Sequence, residues 1–334
     1  MDLNILWFIL ITVLFVGFFF LEGFDFGVGI LLPFLGKNDQ ERRVLINTIG
    51  PHWDGNEVWL ITAGGAMFAA FPNWYSTLFS GFFLALFLVL VSLIIRGVAF
   101  EFRSSDSNPL WRNTWDWMIF TGSFLSAVLW GVAVTNFVKG VPIDAKMQYV
   151  GTFFDLLSPY AIVGGLTTLF VFMFHGALFL SLKTTGEMAE RASRAAQSIA
   201  LVAIPVVLLL AVLTYFQTDL FASFGAGITL ICSGAALILA LLLIRSRKAG
   251  WAFIVNGLTI LLFTVSLFWG LFPRVMISSL NINWSLTIYN ASSSPYTLKI
   301  MTIIALIMVP IVLLYQGWTY WVFRKRITQK DLHY

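Results

Sequence analysis

Six ionisable residues stand where an otherwise apolar chain has little reason to hold charge. They are Glu22 and Asp25 in "FLEGFDFGVG", His52, Asp54 and Glu57 in "IGPHWDGNEVWLITAGG", and Arg96 in "SLIIRGVAFEFR". Glu22 and Asp25 are three apart, as are Asp54 and Glu57, so each pair shares one face of a helix. A charge in the middle of a membrane helix costs about 2.5–3.5 kcal/mol on insertion scales, so such groups face partners or water. Carboxyls gathered at low dielectric around one arginine have the chemistry of a proton relay. The competing account is structural. Asp54 as N-cap and Glu57 at the capping-box position, behind Pro51, explain that pair without any transfer role. Capping does not explain Glu22 and Asp25, which follow an apolar run of about five helical turns.

The elements that must position these residues are helices in a membrane. Charged residues make up 11% of the 334, against about 25% in soluble domains. The mean hydropathy is +0.88. Apolar runs of about twenty residues recur, each long enough to cross a hydrocarbon core as a helix, and period-2 alternation is absent. Nine spans are expected, at 5–32, 50–71, 76–101, 115–138, 157–182, 195–216, 221–244, 250–272 and 298–323, in a single membrane domain over 1–334. The segment 183–194 reads as a charged connector and 273–297 as the longest polar loop. The first residues lack a basic n-region and a cleavage site, so they are expected to be an uncleaved first helix.

Orientation follows from the basic residues. With the N-terminus outside, inner segments hold fifteen of the 20 Lys and Arg, from Lys37, Arg42 and Arg43 through Arg103, Arg112 and Arg191 to Lys330. Outer segments hold only Lys139, Lys146, Arg274 and Lys299. This positive-inside bias puts the C-terminus in the cytoplasm and requires an odd number of spans. All six ionisable residues then fall toward the cytoplasmic ends of the first three spans. The net charge of +4 is spread over loops and is no nucleic-acid signal. The single Cys232 excludes an internal disulfide and a cysteine metal cluster. Trp111, Trp115 and Trp117, with Tyr315 to Trp321, read as aromatic belts. Of the three histidines, His52 sits at a helix end, His175 lies within the fifth span and His333 is in the tail; a lone histidine within a span is better read as hydrogen-bonded than as a haem ligand. Gly23, Gly27 and Gly29, and later Gly64 and Gly65, allow close helix approach.

The strings "EGFDFGVG", "GPHWDGNEVWLITAGGAMFAAFPNWYSTLFSGFFLALFLVLVSLIIRGVAFEFR" and "WRNTWDW" resemble subunit II of the cytochrome bd-type quinol oxidases. The likeness is most specific over residues 20–120 and continues through "SSLNINWSLTIYNASSSPYTLKIM" and "VPIVLLYQGWTYWVFRKRI". It implies an all-α polytopic membrane protein of nine transmembrane helices, arranged as two four-helix bundles plus a peripheral helix. It also implies a heterodimer with a haem-bearing subunit I in the bacterial cytoplasmic membrane. That complex oxidises quinol at the outer side and reduces O2 to water with cytoplasmic protons. The haems, b-type and d-type, would belong to subunit I, leaving no ligand in this chain. A structural quinone and a small accessory subunit are further candidates. The resemblance carries Asp54, Asp25 and Arg96 over as motif positions, whereas Glu22 and Glu57 stand where members vary between acids and amides. The expected path is Asp54, Asp25, Glu22 and Glu57, with Arg96 as charge partner and His52 as a polar-path candidate. A proton-coupled secondary transporter is the rival reading from another class. Against it, the acids are confined to one leaflet and no second broken span carries any.

Overall fold

The computed structural model describes residues 2–328; Lys330 of the inner basic set and His333 lie outside them. Among the described residues, eight helices are long and apolar enough to cross a membrane. They are α1 (Leu3–Leu35), α5 (Phe83–Phe102), α6 (Pro109–Lys139), α7 (Pro159–Lys183), α8 (Gly186–Gln217), α9 (Phe224–Arg245), α10 (Ala249–Leu271) and α11 (Pro295–Val322). Between α1 and α5 lie α2 (Asp39–Ile49), α3 (Trp53–Ala70) and α4 (Pro72–Gly81). α3 has 18 residues, about 27 Å of helix, but Asp54, Asn56 and Glu57 in its first turns set it apart from the eight.

Local chemistry sets the boundaries. Asn108, Ser158 and Ser294 each accept from a backbone N–H as N-cap, and each is followed by a proline in the first turn. Pro has no N–H to lose there, so the pair starts a helix cleanly. Asn38 caps α2 in the same way, accepting from Glu41 N. The expected third span begins earlier than 76, at Pro72, and Phe82 interrupts it between α4 and α5 while the backbone ladder runs on from Leu78 to Leu86. The charged stretch 186–194 is the first part of α8 rather than a connector, held by Arg191 pairing with Glu187 one turn away.

α1 is the axis of the molecule and packs on α3, α6, α7 and α10. Its tightest crossing is with α7. A Cβ on Gly27 would strike the Phe172 carbonyl and lie 2.8 Å from Gly176 N, so only glycine permits this approach. α7, α8, α9 and α10 each pack on the next, and α10 closes back on α7. Hydroxyls clip neighbours together, as where Ser233 donates to Thr259 O and Ser266 to Ala226 O. α5 lies on α6, and α11 touches only α1 and α3 appreciably, burying Leu298 alone. At the far end from the basic loops, Arg274–Met276 pairs antiparallel with Leu286–Thr287, and Ser278 ties this cap to Ile143.

Candidate functional site

The scarce charges on α1, α3 and α5 converge. Glu22 and Asp25 are wholly buried on one face of α1. Arg96, also wholly buried, reaches from α5 and sets one nitrogen, Nη1, 2.6 Å from Glu22 Oε1 and 2.6 Å from Glu57 Oε1. Its guanidinium lies 5.1 Å from the Phe26 ring centre and 5.3 Å from that of Phe100. Such faces suit a cation shielded from water. Gly122 of α6 makes room, since a Cβ there would come within 2.9 Å of Arg96 Cβ. Asp25 Oδ2 accepts from Asn56 Nδ2 at 2.6 Å, while Asp25 Oδ1 is buried without a partner. Three carboxyls thus surround one guanidinium, and the group is electroneutral only with two protons on its carboxyls. An arrangement with that charge count can store and pass protons.

Asp54 is not part of this buried group. His52 is the N-cap of α3 and makes no side-chain cap bond, so Asp54 sits within the first turn, exposed to the surroundings of the chain. The capping account of Asp54 and Glu57 is corrected here: the helix starts two residues earlier than it requires, and Glu57 turns to Arg96 instead. His52 stacks flat on Tyr320 of α11, ring centres 4.3 Å apart. The sequence reading missed Asn56, Gln316 and Tyr320, which complete the inner end of the cluster. Its one available signal was Gln316, a lone amide in the apolar run of α11.

His175 is wholly buried among aromatic rings of α1 and α10. Its Nδ1 faces Asn256 Nδ2 at 3.2 Å, and its ring lies on Phe253 at 4.4 Å and 4°. Among the described residues, no three His, Cys, Asp or Glu side chains are grouped to hold a metal.

A second ionic cluster lies at the end bearing the basic loops. Asp116, buried in what reads as an aromatic belt, takes Arg103 Nε at 2.5 Å and Arg42 Nη1 at 2.8 Å. Asp39 joins Arg103 at 2.9 Å to Arg112 at 2.6 Å. Nearby, Arg191 pairs with Glu41 at 2.8 Å and holds the Glu41 carboxyl below the usual carboxylate range, chiefly through its hydrogen bonds. These bonds tie α2 to α6, to α8 and to Arg103 at the end of α5.

An apolar groove of about 720 Å³ runs between α3 and the α4–α5 helix, with Glu57 at one end. Gly64 and Gly65 face it with nothing within 4 Å of where a Cβ would stand. Ile61, Phe68, Phe83 and Leu90 line it and are exposed. A second apolar groove, about 580 Å³, lies between α1 and α10.

Residues 3–323 match the family described as cytochrome bd terminal oxidase subunit II. The chain is 48% identical to cytochrome bd ubiquinol oxidase subunit 2 of Bacillus subtilis, over 99% of this chain and 98% of that one. It is 40% identical to cytochrome bd-I ubiquinol oxidase subunit 2 of Escherichia coli, over 99% and 96%. Its fold is similar to a chain in the structure of bd oxidase from Geobacillus thermodenitrificans, with a TM-score of 0.75 at 20% identity, covering 97% of this chain and 100% of that one.

Proposed function

Since the chain belongs to the cytochrome bd terminal oxidase subunit II family, we propose that, beside the haem-bearing subunit I the family implies, it supplies part of the cytoplasmic proton path for O2 reduction. α3 is the ninth crossing in this reading. Its 18 residues nearly span a hydrocarbon core, and nine crossings put the amino terminus outside and the basic loops in the cytoplasm of a bacterium. The helices then divide into α1, α3, α4–α5 and α6, the ring α7 to α10, and the peripheral α11.

The observation that carries the proposal is the graded burial of the cluster. Glu22 and Arg96 have no exposure, whereas the Glu57 side chain is 16% exposed, at the end of a groove this chain does not fill. The groove is the seat of subunit I. Asp54, one turn before Glu57 on α3, takes protons at the cytoplasmic end. Glu57 passes them toward the partner, and Glu22 and Asp25 hold the reserve that Arg96 balances. Haem in subunit I supplies the redox chemistry; this chain's residues hold and move protons. Quinol protons released outside and cytoplasmic protons consumed inside together separate charge across the membrane. An isoprenoid quinone tail fits the apolar groove between α1 and α10 by chemistry. The transporter reading is not favoured, because the family is that of an oxidase subunit and the acids sit near one end of the helices. In the purified complex, Asp54→Asn slows quinol-driven O2 consumption at least about tenfold with haem per complex unchanged. Wild-type turnover with normal assembly would show that Asp54 carries no protons, and lost haem would show a structural role.

A further inference from the structure

The peripheral helix α11 meets the body at its two ends. At one end Trp7 Nε1 donates to Leu298 O and to Thr302 Oγ1, at 3.2 and 3.1 Å. Between residues 306 and 315 every side chain is exposed. At the other end α11 makes a set of directed hydrogen bonds that ends on Asp25. Trp59 Nε1 donates to Gln316 Oε1 at 2.8 Å. Gln316 Nε2 and the Tyr320 hydroxyl both donate to Asn56 Oδ1, at 3.4 and 2.8 Å. Asn56 Nδ2 donates to Asp25 Oδ2 at 2.6 Å.

The order of these bonds admits one polarity. An indole N–H only donates, so it fixes which end of the Gln316 amide faces Trp59. The Gln316 nitrogen must then face Asn56. The Asn56 oxygen is therefore claimed twice from α11, and its nitrogen is turned to Asp25. Without α11 the Asn56 amide could present either end to the carboxyl, and the oxygen end would oppose a carboxylate.

We infer that Gln316 and Tyr320 are positioning residues for the oxidase reaction: from α11 they lock Asn56 as an obligate hydrogen-bond donor to Asp25. This rests on the reading that the buried cluster handles protons. The stack of Tyr320 on His52 and the Lys183 ammonium on the Phe323 carbonyl hold the end of α11 in place for that task.

The test uses the purified oxidase complex, with turnover expressed per haem. Tyr320→Phe removes one of two donors and lowers turnover about twofold. Tyr320→Phe with Gln316→Leu frees the amide and lowers it roughly tenfold, the scale of a lost hydrogen bond to a charged group. Redox difference infrared spectra of the double variant show a displaced Asp25 carboxyl band, and its pH–rate profile moves. A helix that merely braces the fold would change neither. Asp25→Asn is the control for the premise. If Asp25→Asn is slow while the double variant keeps the wild-type rate, profile and band, the positioning role is overturned and the proton reading stands. If Asp25→Asn turns over normally, the premise itself fails. If the double variant assembles poorly, the spectrum and per-haem rate of the assembled fraction still decide, and an unmoved band overturns the inference.

Discussion

Replacing Arg96 by Gln perturbs the cluster most sharply. One nitrogen holds both Glu22 and Glu57 at 2.6 Å, so the substitution breaks two ion pairs at once and leaves three carboxyls with no cation. Deleting one partner of a buried pair costs about 3–5 kcal/mol. The carboxyls can escape part of this by taking protons, which puts Arg96→Gln at about 3 kcal/mol. Glu57→Gln is different. Arg96 keeps Glu22, and Glu57 lies at the open edge of the cluster, so the cost is about 1 kcal/mol. The single cation therefore matters more than any one anion. Thermal melting of the purified complex, with haem retention as a second readout, measures both variants at neutral and mildly acid pH. The deficit of Arg96→Gln shrinks as the pH falls, because protonating the orphaned carboxyls becomes easier. Equal destabilisation by the two variants, or a deficit that grows in acid, would refute the reasoning.

Asp116→Asn takes from the buried Arg103 its only buried carboxylate partner, leaving it the part-exposed Asp39, and costs about 3 kcal/mol, whereas Asp39→Asn, whose side chain is 39% exposed, costs under about 1 kcal/mol; paired melting curves check the ranking. The Glu41 carboxyl is held below its ordinary range by Arg191, so its contribution is complete above the unfolded carboxylate range and is lost as the pH falls through the lowered value. Glu41→Gln should lower the neutral plateau of the stability curve and flatten its acid limb, so that the two proteins converge at low pH. Gly176→Leu should prevent the α1–α7 crossing, read as loss of assembled complex on native gels, while Gly64→Ala, with open space around it in this chain, leaves the chain itself folded.

Much of this was legible in the sequence because charge is scarce. Glu22, Asp25, Glu57 and Arg96 announced themselves as polar groups in apolar runs, and burial joined them as the helix spacing implied. Asp54 announced itself equally, yet spacing alone could not show that it lies outside the cluster, since one turn of α3 separates buried from exposed. Gln316 and Tyr320 act on Asn56 from about 260 positions away along the chain, and no local pattern records that pairing. Asp116 was hidden by its aromatic neighbours, which are belt residues by type, although the carboxyl among them anchors two arginines. α2 falls between the expected spans 5–32 and 50–71, in a charged stretch with no apolar run to mark it. Its cap, Asn38 with Glu41 three residues on, was there to be read.

Whether the buried acids move cytoplasmic protons is decided by proton uptake during a single turnover of the Asp25→Asn complex with O2, in vesicles holding the complex in one orientation. Slowed uptake from the cytoplasmic side is expected, with haem content and assembly intact. Uptake at the wild-type rate in that variant would contradict that role.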